Sequence, residues 1–172
     1  MAAHDDKELA NKKKNFASSN STSVERRTIF NVNLHELSDG DILSWNDVSD
    51  IHKVRNGIYQ RNGKLISLLT DFGRINPCYP DHDGDDTDTI HYHGFGRHGN
   101  QRLDAPNRAL FNAIESGHLV PLFNKLSVGR WQFVGMVRVA KGQYIYDERQ
   151  ERMVWQFTLL RSNAEARALA RA

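Results

Sequence analysis

The sequence predicts a mainly β protein of the α+β class, in which one or two helices flank a small, curved or barrel-like sheet. About six or seven short apolar segments are separated by Gly, Asn and Asp turn residues, as in small sheets. Two longer segments, Trp131 to Val139 and Met153 to Leu160, alternate side chains with the period of a strand. Only the segment between Asp104 and Gly117 carries clear helix start and stop signals.

The composition is that of one globular domain with tails. The chain has 172 residues, of which 39% are hydrophobic and 26% charged, and its net charge of +2 gives little indication of a nucleic-acid partner. The single cysteine, Cys78, excludes a disulfide within the chain and a cysteine-rich zinc site. It favours a reducing compartment, and with no membrane-length apolar run or signal-peptide core we expect a cytoplasmic protein.

Three regions are expected. Residues 1–28 are polar and read as a flexible tail, or alternatively as a nonspecific phosphate-binding arm, because they contain Lys12-Lys13-Lys14 and a serine-rich run. Residues 29–161 form the folded domain. Residues 162–172 are a helix-prone tail or linker to another domain of a longer protein.

The first half of the domain is predicted from its turns. Asp39 to Ile42 is a turn into a strand, and Trp45 to Ile51 is expected to be polar and turn-rich. A hairpin joins Gly57–Tyr59 to Leu65–Leu69 through the tight turn Asn62-Gly63. Asp71 to Thr89 is a long acidic loop, and loops of that length in compact domains are usually functional or mobile.

The second half contains the predicted helix and the closing strands. Ile90 to His93 is a short strand, and Asp104 caps a helix that has Pro106 in its first turn and ends at Gly117. The buried stripe of this helix is expected to comprise Leu110, Phe111 and Ile114. The connection between the two closing strands is expected to include Lys141-Gly142 and Asp147 to Glu151.

A glycine-rich loop with two arginines lies between the Ile90 strand and the helix. Gly94, Gly96 and Gly99 permit positive φ and close approach of a ligand to the backbone, and Arg97 and Arg102 flank them. Such a loop binds phosphates through its N–H groups, although a structural turn explains the same residues equally well. No Gly-Lys-Ser/Thr follows it and no βαβ context surrounds it, which excludes a Walker or Rossmann loop.

A metal centre is the weaker interpretation of the neighbouring histidines and acids. His91 and His93 share one face of a strand and His98 follows, but the spacing matches no established zinc pattern. The run Asp81 to Asp88 lacks the glycine position and closing Glu of a calcium loop, so solvated acids are the default interpretation. One loop carboxylate could instead accept from the exocyclic amine of cytosine. We expect no metal and no cofactor.

The order of several short motifs resembles the SRA (SET- and RING-associated, or YDG) domain. The resemblance covers roughly residues 38 to 161, and no single motif is specific, whereas their order and spacing are. The motifs are Gly40-Asp41, Trp45, His52, Gly57-Ile58, Ser67-Leu68-Leu69, Tyr92-His93-Gly94-Phe95-Gly96, Gln101, Asn107-Arg108-Ala109-Leu110, Gly117, Val120-Pro121-Leu122-Phe123 and Phe133-Val134-Gly135.

The resemblance implies a PUA-like curved β-barrel that flips a modified cytosine out of duplex DNA into an aromatic pocket. Tyr92 matches one stacking tyrosine and is followed by His93 and Gly94. The second aromatic is Phe72 or Tyr79. The pocket aspartate lies among Asp71, Asp81, Asp83, Asp85, Asp86 and Asp88, with Asp71 and Asp88 put forward.

The same resemblance suggests which residues contact DNA. Val54 and Arg55 match a loop that enters a groove. Residues of the glycine loop would contact phosphates or a groove: Arg97, His98, Asn100 and Arg102.

Two departures from the family pattern narrow the expected function. The Tyr-Asp-Gly signature is Phe133-Val134-Gly135 here, and the finger loop after the glycine motif is reduced to Arg97-His98-Gly99-Asn100. The short loop resembles SRA-like domains of bacterial modification-dependent restriction systems, which recognise 5-methyl- or 5-hydroxymethylcytosine while a separate nuclease domain cuts. We therefore expect a non-enzymatic reader of modified duplex DNA with a nuclease domain or subunit as partner. There are three alternatives: a PUA-like RNA-binding module, a protein-interaction domain, and a metal-dependent nuclease that uses His91, His93 and the acidic loop.

Overall fold

A computed structural model of the protein describes residues 32–162. The expectations for the N-terminal tail, for the start of the fold near residue 29 and for the C-terminal tail concern residues that lie almost wholly outside this range. A 3₁₀ turn at Leu34–Glu36 comes first. The remaining elements are β1 (Ile42–Ser44), α1 (Trp45–Ile51), β2 (Ile58–Arg61), β3 (Lys64–Thr70), β4 (His82–Asp83), β5 (Thr89–His93), α2 (Ala105–Ser116), β6 (Val120–Ser127), β7 (Arg130–Asp147) and β8 (Arg152–Arg161).

The described strands form one mainly antiparallel sheet, which confirms the α+β, mainly β class. The order is β2-β3-β6-β7-β8-β5-β4, and β1 pairs with β7 outside this path. Only β3 and β6 run parallel among the pairs of the described region, with Leu68 opposite Leu122. Within residues 32–162 the outer strands β2 and β4 do not pair with each other, so the sheet is open and differs from a closed barrel. No helix in this range is long and apolar enough to cross a membrane.

The segment Trp45–Ile51 is a helix, so the prediction of a turn-rich segment is wrong. Ser44 and Asp47 form a capping box, in which the Ser44 hydroxyl accepts from the Asp47 N–H and the Asp47 carboxylate accepts from the Ser44 N–H. This reciprocal cap satisfies the first free N–H groups of a helix and stabilises its start. Val48 is buried beneath it, against a cluster that includes Trp131 and Phe133.

The predicted hairpin and the predicted long helix are both present. Asn62 and Gly63 have φ of 51° and 82°, as the tight turn between β2 and β3 requires. Asp104 caps α2 by accepting from the Asn107 N–H, and Gly117 ends the helix at φ 63°. Its buried side chains include Leu110, whereas Phe111 and Ile114 are partly buried and pack against the same core.

The strand β7 continues through the region predicted as a connection. It pairs with β8 from Val137 to Asp147, so only the residues after Asp147 form the hairpin tip. Gly142 lies within this strand. A side chain is excluded there because a Cβ would come within 2.8 Å of the Phe157 ring and 2.9 Å of the Phe111 ring. This glycine permits close packing of α2 on the sheet and does not mark a turn.

Candidate functional site

An open cleft of about 1240 Å³ lies where four segments of the chain meet. These are the α1–β2 loop, the end of β3 with its following loop, β5 with the glycine loop, and the β6–β7 turn. The lining residues are Trp45, Arg55, Asn56, Gly57, Ile58, Leu69, Thr70, Asp71, Ile75, Asn76, Tyr79, Asp81, Tyr92, His93, Gly94, Phe95, Gly96, Arg97, Lys125, Val128, Gly129 and Trp131.

Tyr92 contributes to the cleft from the buried side of β5 and is only 3% exposed. Its hydroxyl lies 2.9 Å from the Leu69 carbonyl oxygen and 3.1 Å from that of Gly57, and it donates to this pair. Burial, followed by the charge of Asp81, raises the pKa of Tyr92 well above its ordinary value. The phenol is therefore neutral, and its two carbonyl partners hold the ring in place within the cleft lining.

Tyr79 is the second tyrosine on the cleft, and it belongs to the loop between β3 and β4. Phe72, the other candidate, packs partly buried against the main core and does not line the cleft. The backbone at Phe72 has φ of 51°, and its N–H donates to the Thr70 hydroxyl. The structure thus brings Tyr79, and not Phe72, to the same cleft as Tyr92.

Asp81 is a buried carboxylate on the cleft, 4% exposed. Its Oδ1 accepts from the His93 N–H at 2.7 Å and its Oδ2 from the Thr70 hydroxyl at 2.7 Å. The His93 Nδ1 lies 3.4 Å from Oδ1. Burial raises the pKa of Asp81, and the hydrogen bonds from His93 and Thr70 oppose that rise. A carboxylate offers about four lone-pair directions, so acceptor capacity remains for a ligand amine.

The other candidate acids are placed differently. Asp71 lines the cleft, but its oxygens accept from the N–H groups of Gly73 (2.7 Å), Ile75 (3.2 Å) and Asn76 (2.6 Å). It therefore organises the loop that precedes Tyr79. Asp88 lies in the turn before β5, outside the cleft lining.

Three basic residues line the cleft. Arg55 and Arg97 are exposed and approach it from the α1–β2 loop and the glycine loop, and Lys125 lies 5.9 Å from the centre of the Trp131 ring. Val54 is half-buried and does not line the cleft. The lining also includes the carboxyl groups of Asp71 and Asp81, so the three cations exceed the acidic residues of the cleft by one.

Buried His52 holds the α1–β2 loop in place. Its Nε2 lies 2.6 Å from the Asn56 carbonyl oxygen, and its Nδ1 lies 2.7 Å from the Ser67 hydroxyl. Burial lowers the pKa of His52, which outweighs the raising effect of the Asn56 hydrogen bond. A neutral ring that donates from Nε2 and accepts at Nδ1 satisfies both partners.

The glycine loop is held from inside by buried amides. The Gln101 Nε2 donates to the Gly94 carbonyl at 2.7 Å, and the Asn107 Oδ1 accepts from the Phe95 N–H at 2.7 Å. Gly96 and Gly99 have the positive φ that was expected, at 127° and 63°. Gly94 does not; a Cβ there would come within 2.8 Å of Asn107 Oδ1 and Trp155 Cβ, so close packing is what requires this glycine.

The remaining predicted contact residues lie on a second, smaller depression of about 600 Å³. His98, Asn100 and Arg102 line it, and it shares Phe95 and Gly96 with the cleft. Apart from Phe72, Val54 and Asp88, which line neither, the predicted site residues are therefore divided between two depressions that share Phe95 and Gly96.

Sequence reasoning missed several residues of the cleft. Lys125, Val128, Gly129 and Trp131 come from the β6–β7 hairpin, and nothing in their local sequence indicates that this hairpin turns towards the Tyr92 segment. Trp45 packs on Trp131 with ring centroids 5.4 Å apart. Val128 is 93% exposed beside the turn glycine Gly129, a feature that becomes visible only in the structure.

The histidines and acids do not assemble a metal site in the described region. The rings of His82 and His91 are 4.9 Å apart, and burial, then the charge of His82, lowers the pKa of His91. Among residues 32–162 no group of three or more His, Cys, Asp or Glu side chains is arranged to hold a metal ion.

Comparison with known proteins identifies a family that the chain matches. The family model described as "ScoMcrA-like, SRA domain" matches residues 49–168. A search of curated proteins found no match.

Solved structures of similar fold include DNA complexes and a restriction endonuclease. The SRA domain of SUVH5 in complex with hemimethylated CG DNA is 22% identical, with a TM-score of 0.62 over 77% of this chain and 92% of that one. The same domain bound to fully hydroxymethylated CG DNA is 20% identical, with a TM-score of 0.59 over 75% of this chain and 91% of that one. The modification-dependent restriction endonuclease TagI is 19% identical, with a TM-score of 0.61 over 79% of this chain and 53% of that one. At these identities the structural likeness shows the fold.

Proposed function

Because the chain belongs to the ScoMcrA-like SRA domain family, we propose that it reads modified duplex DNA by taking a modified cytosine into the cleft beside Tyr92. The observation that carries the proposal is one cleft that holds two tyrosines, a buried carboxylate and three basic residues. The tyrosines suit the two faces of a flipped base, the carboxylate suits its exocyclic amine, and the basic residues suit the phosphates.

Tyr92 and Tyr79 are proposed to stack on the two faces of the base. Tyr92 is fixed by its hydroxyl contacts with Leu69 and Gly57, whereas Tyr79 comes from the loop between β3 and β4 and is half-buried. Stacking of a base on an aromatic side chain contributes about 1–3 kcal/mol, which offsets the few kcal/mol lost when the base leaves the duplex. The cleft volume of about 1240 Å³ also exceeds the roughly 300–1,000 Å³ of ordinary small-molecule pockets, and leaves room for the attached sugar and phosphates.

Asp81 is proposed to accept from the exocyclic amine of the base. Its position is fixed by His93 and Thr70, and carboxylates are suitable acceptors for the cytosine N4 amine. His93 and Gly94 adjoin this carboxylate along β5. Asp71, which already accepts three N–H groups of its own loop, is proposed to support the pocket rather than to read the base.

The basic rim is proposed to hold the DNA backbone. Arg55, with Val54 before it, comes from the α1–β2 loop and Arg97 from the glycine loop, and both arginines line the cleft. His98, Asn100 and Arg102 extend the glycine-loop side along the second depression. Cleavage is proposed to belong to a separate nuclease domain or subunit, as the likeness to TagI suggests.

Competition binding is the direct test. Duplexes that differ only in carrying cytosine, 5-methylcytosine, 5-hydroxymethylcytosine or its glucosylated form compete at one salt concentration, and single-stranded DNA and RNA serve as further competitors. Preference for one modified duplex is expected, with increased 2-aminopurine fluorescence from the position beside the modified base. Equal affinity for all duplexes would overturn the proposal.

The variant Tyr79→Ala tests the pocket itself. We expect loss of affinity for the modified duplex of about ten- to a hundredfold, since one stacking partner is removed, and loss of the 2-aminopurine signal. Tyr146→Ala is the matched control, because Tyr146 is 58% exposed on β7 and does not line the cleft. An equal effect of the two substitutions would contradict a role for Tyr79 in stacking.

A further inference from the structure

Arg152, the first residue of β8, is a buried cation without a carboxylate partner among the described residues. It is 5% exposed, and the ion pairs formed within residues 32–162 do not include it. Asp147, opposite it in the hairpin, accepts instead from the N–H groups of Arg149 and Gln150. A buried charge without a counter-charge is costly to maintain, so its presence calls for a functional explanation.

The guanidinium of Arg152 is directed into the glycine loop. Its Nη1 donates to the carbonyl oxygens of Gly96 at 2.7 Å and Gly99 at 3.2 Å, and its Nε donates to Gln150 Oε1 at 2.9 Å. Its Nη2 is buried and has no protein acceptor in the part of the chain that the structure describes. The guanidinium thus fixes two carbonyls of the loop and retains an unused donor.

The backbone of the same loop carries unused donors as well. Gly96 and Gly99 both have positive φ, and the carbonyl oxygens of both accept hydrogen bonds from Arg152, which lies on the inner side of the loop. No hydrogen bond within residues 32–162 uses the backbone N–H groups of residues 96–99. Successive free N–H groups in a glycine-containing turn form a concave site for an anion.

We propose that Arg152 is a positioning residue that holds residues 96–99 as a binding site for one DNA phosphate, which supplies the missing counter-charge. The inner hydrogen bonds keep the carbonyl dipoles away from the phosphate, and the buried charge strengthens the field at the free N–H groups. Arg97 and His98, whose own side chains are exposed at the loop, are available to the same phosphate. The inference rests on the proposed function only for the identity of the anion.

The test uses duplexes in which single phosphates are replaced by neutral methylphosphonates. For the wild type we expect one such replacement, close to the modified base, to weaken binding by about tenfold, as expected for loss of charge-assisted hydrogen bonds. Arg152→Met is expected to bind the unaltered duplex about tenfold more weakly and to lose sensitivity to that replacement, with its salt slope reduced by about one.

Two matched controls separate this role from a general effect on β8. Arg161→Met removes an arginine at the other end of the strand, where its Nε donates to the Thr87 carbonyl. Arg149→Ala removes an exposed arginine at the hairpin tip and leaves the contacts of Arg152 with Gly96, Gly99 and Gln150. Both are expected to keep the methylphosphonate sensitivity of the wild type. If Arg152→Met does not fold, Arg152→Lys carries the test, since lysine retains the charge but cannot reproduce the planar fork, and a reduced sensitivity is expected.

An undiminished methylphosphonate effect in a folded Arg152 variant, or a wild type insensitive at every phosphate, would overturn the inference. The scan is run on modified and unmodified duplexes alike. Loss of discrimination between them with the phosphate effect intact would overturn the proposed function and leave the role of Arg152 standing.

Discussion

At the scale of single residues, the cleft depends on buried polar groups whose protonation is set by their surroundings. Asp81 shows this most clearly, because burial raises its pKa while His93 and Thr70 hydrogen-bond to it. Its carboxyl group links the loop before β4 to the adjoining strands β5 and β3. The state of one proton therefore bears on both the stability and the chemistry of the site.

Replacing Asp81 by asparagine is expected to change the pH dependence of stability. A raised pKa means that the folded protein holds the proton more tightly than the unfolded chain does. The resulting stabilisation is fully present below the ordinary value of 3.8 and is lost as the pH rises through the raised pKa. Denaturant unfolding from pH 4 to pH 7 should therefore show the wild type losing stability relative to Asp81→Asn. Parallel curves would show that Asp81 does not carry this proton.

Replacing Gly94 by alanine is expected to destabilise the fold by about 3 kcal/mol, since the new methyl group overlaps three side chains in a packed region. The nearest atoms are Asn107 Oδ1 and Trp155 Cβ at 2.8 Å and Gln101 Oε1 at 2.9 Å. Gly99→Ala is the control, because its Cβ meets nothing within 4 Å and only the strain of φ 63° remains, about 1–2 kcal/mol. Equal melting temperatures for the two variants would contradict the packing argument.

At the scale of elements, the β7–β8 hairpin supports two loops of the cleft, the loop that contains Tyr79 and the glycine loop. Its tip residue Gln150 donates from Nε2 to the Cys78 carbonyl at 3.2 Å, next to Tyr79, and accepts from Arg152 through Oε1. Arg152 in turn contacts the glycine loop. The tip of this hairpin, which does not itself line the cleft, thus connects the Tyr79 loop to the loop that follows Tyr92.

Removal of the Gln150 side chain is expected to loosen the Tyr79 loop. In Gln150→Ala the Cys78 carbonyl loses its donor, so amide hydrogen exchange in residues 76–81 should become faster while exchange in β5 is unchanged. The preference for modified over unmodified duplex should fall by about five- to tenfold, the equivalent of one hydrogen bond. Arg149→Ala, an exposed neighbour at the tip, is the control. Unchanged exchange in residues 76–81 would exclude this support.

At the scale of the whole molecule, the distribution of charge matters more than its sum. The net charge is only +2, yet Arg55, Arg97 and Lys125 all line one cleft. Release of counterions from DNA depends on the number of phosphates that are contacted. The strength of DNA binding is therefore expected to follow these local cations.

The salt dependence of binding measures this expectation. Arg55→Ala and Arg97→Ala should each reduce the slope of log affinity against log salt concentration by about one and weaken binding to modified and unmodified duplexes alike. Arg61→Ala is the control, because Arg61 is exposed in the β2–β3 hairpin away from both depressions. If Arg61→Ala reduced the salt slope as much as the two cleft variants do, the position of a positive charge would not matter for binding.

The sequence predicted the fold wherever the signal was local. Asn62-Gly63 requires positive φ and specifies its hairpin, and Asp104 and Gly117 cap the long helix. The extent of β7 was not predictable, because Gly142 reads as a turn until the rings of Phe111 and Phe157 are seen beside it. The capping box of α1 was present in the sequence at Ser44 and Asp47, but the polar composition of the segment obscured it.

Prediction of the site was limited by contacts between distant segments. Tyr92, Arg55 and Arg97 were identified and do line the cleft. The choices between Phe72 and Tyr79 and among the loop acids depend on which side chains face the core, which no local pattern specifies. Arg152 is the extreme case, because its contacts with Gly96 and Gly99 join residues more than 50 positions apart.

The parallel pairing of β3 with β6 has a kinetic consequence. Leu68 and Leu122 meet only after a long chain segment closes, whereas the β7–β8 ladder forms between neighbours along the chain. Hairpins form in about 1–10 μs, and distant pairings form later because loop closure reduces chain entropy first. The Tyr79 loop follows β3, whereas Tyr92 and the glycine loop belong to β5, which pairs with β8, so the cleft needs the later β3–β6 pairing. During refolding we therefore expect DNA-binding competence to appear after the hairpin is already protected from hydrogen exchange. A chain halted between these stages would retain its hairpin but have no cleft.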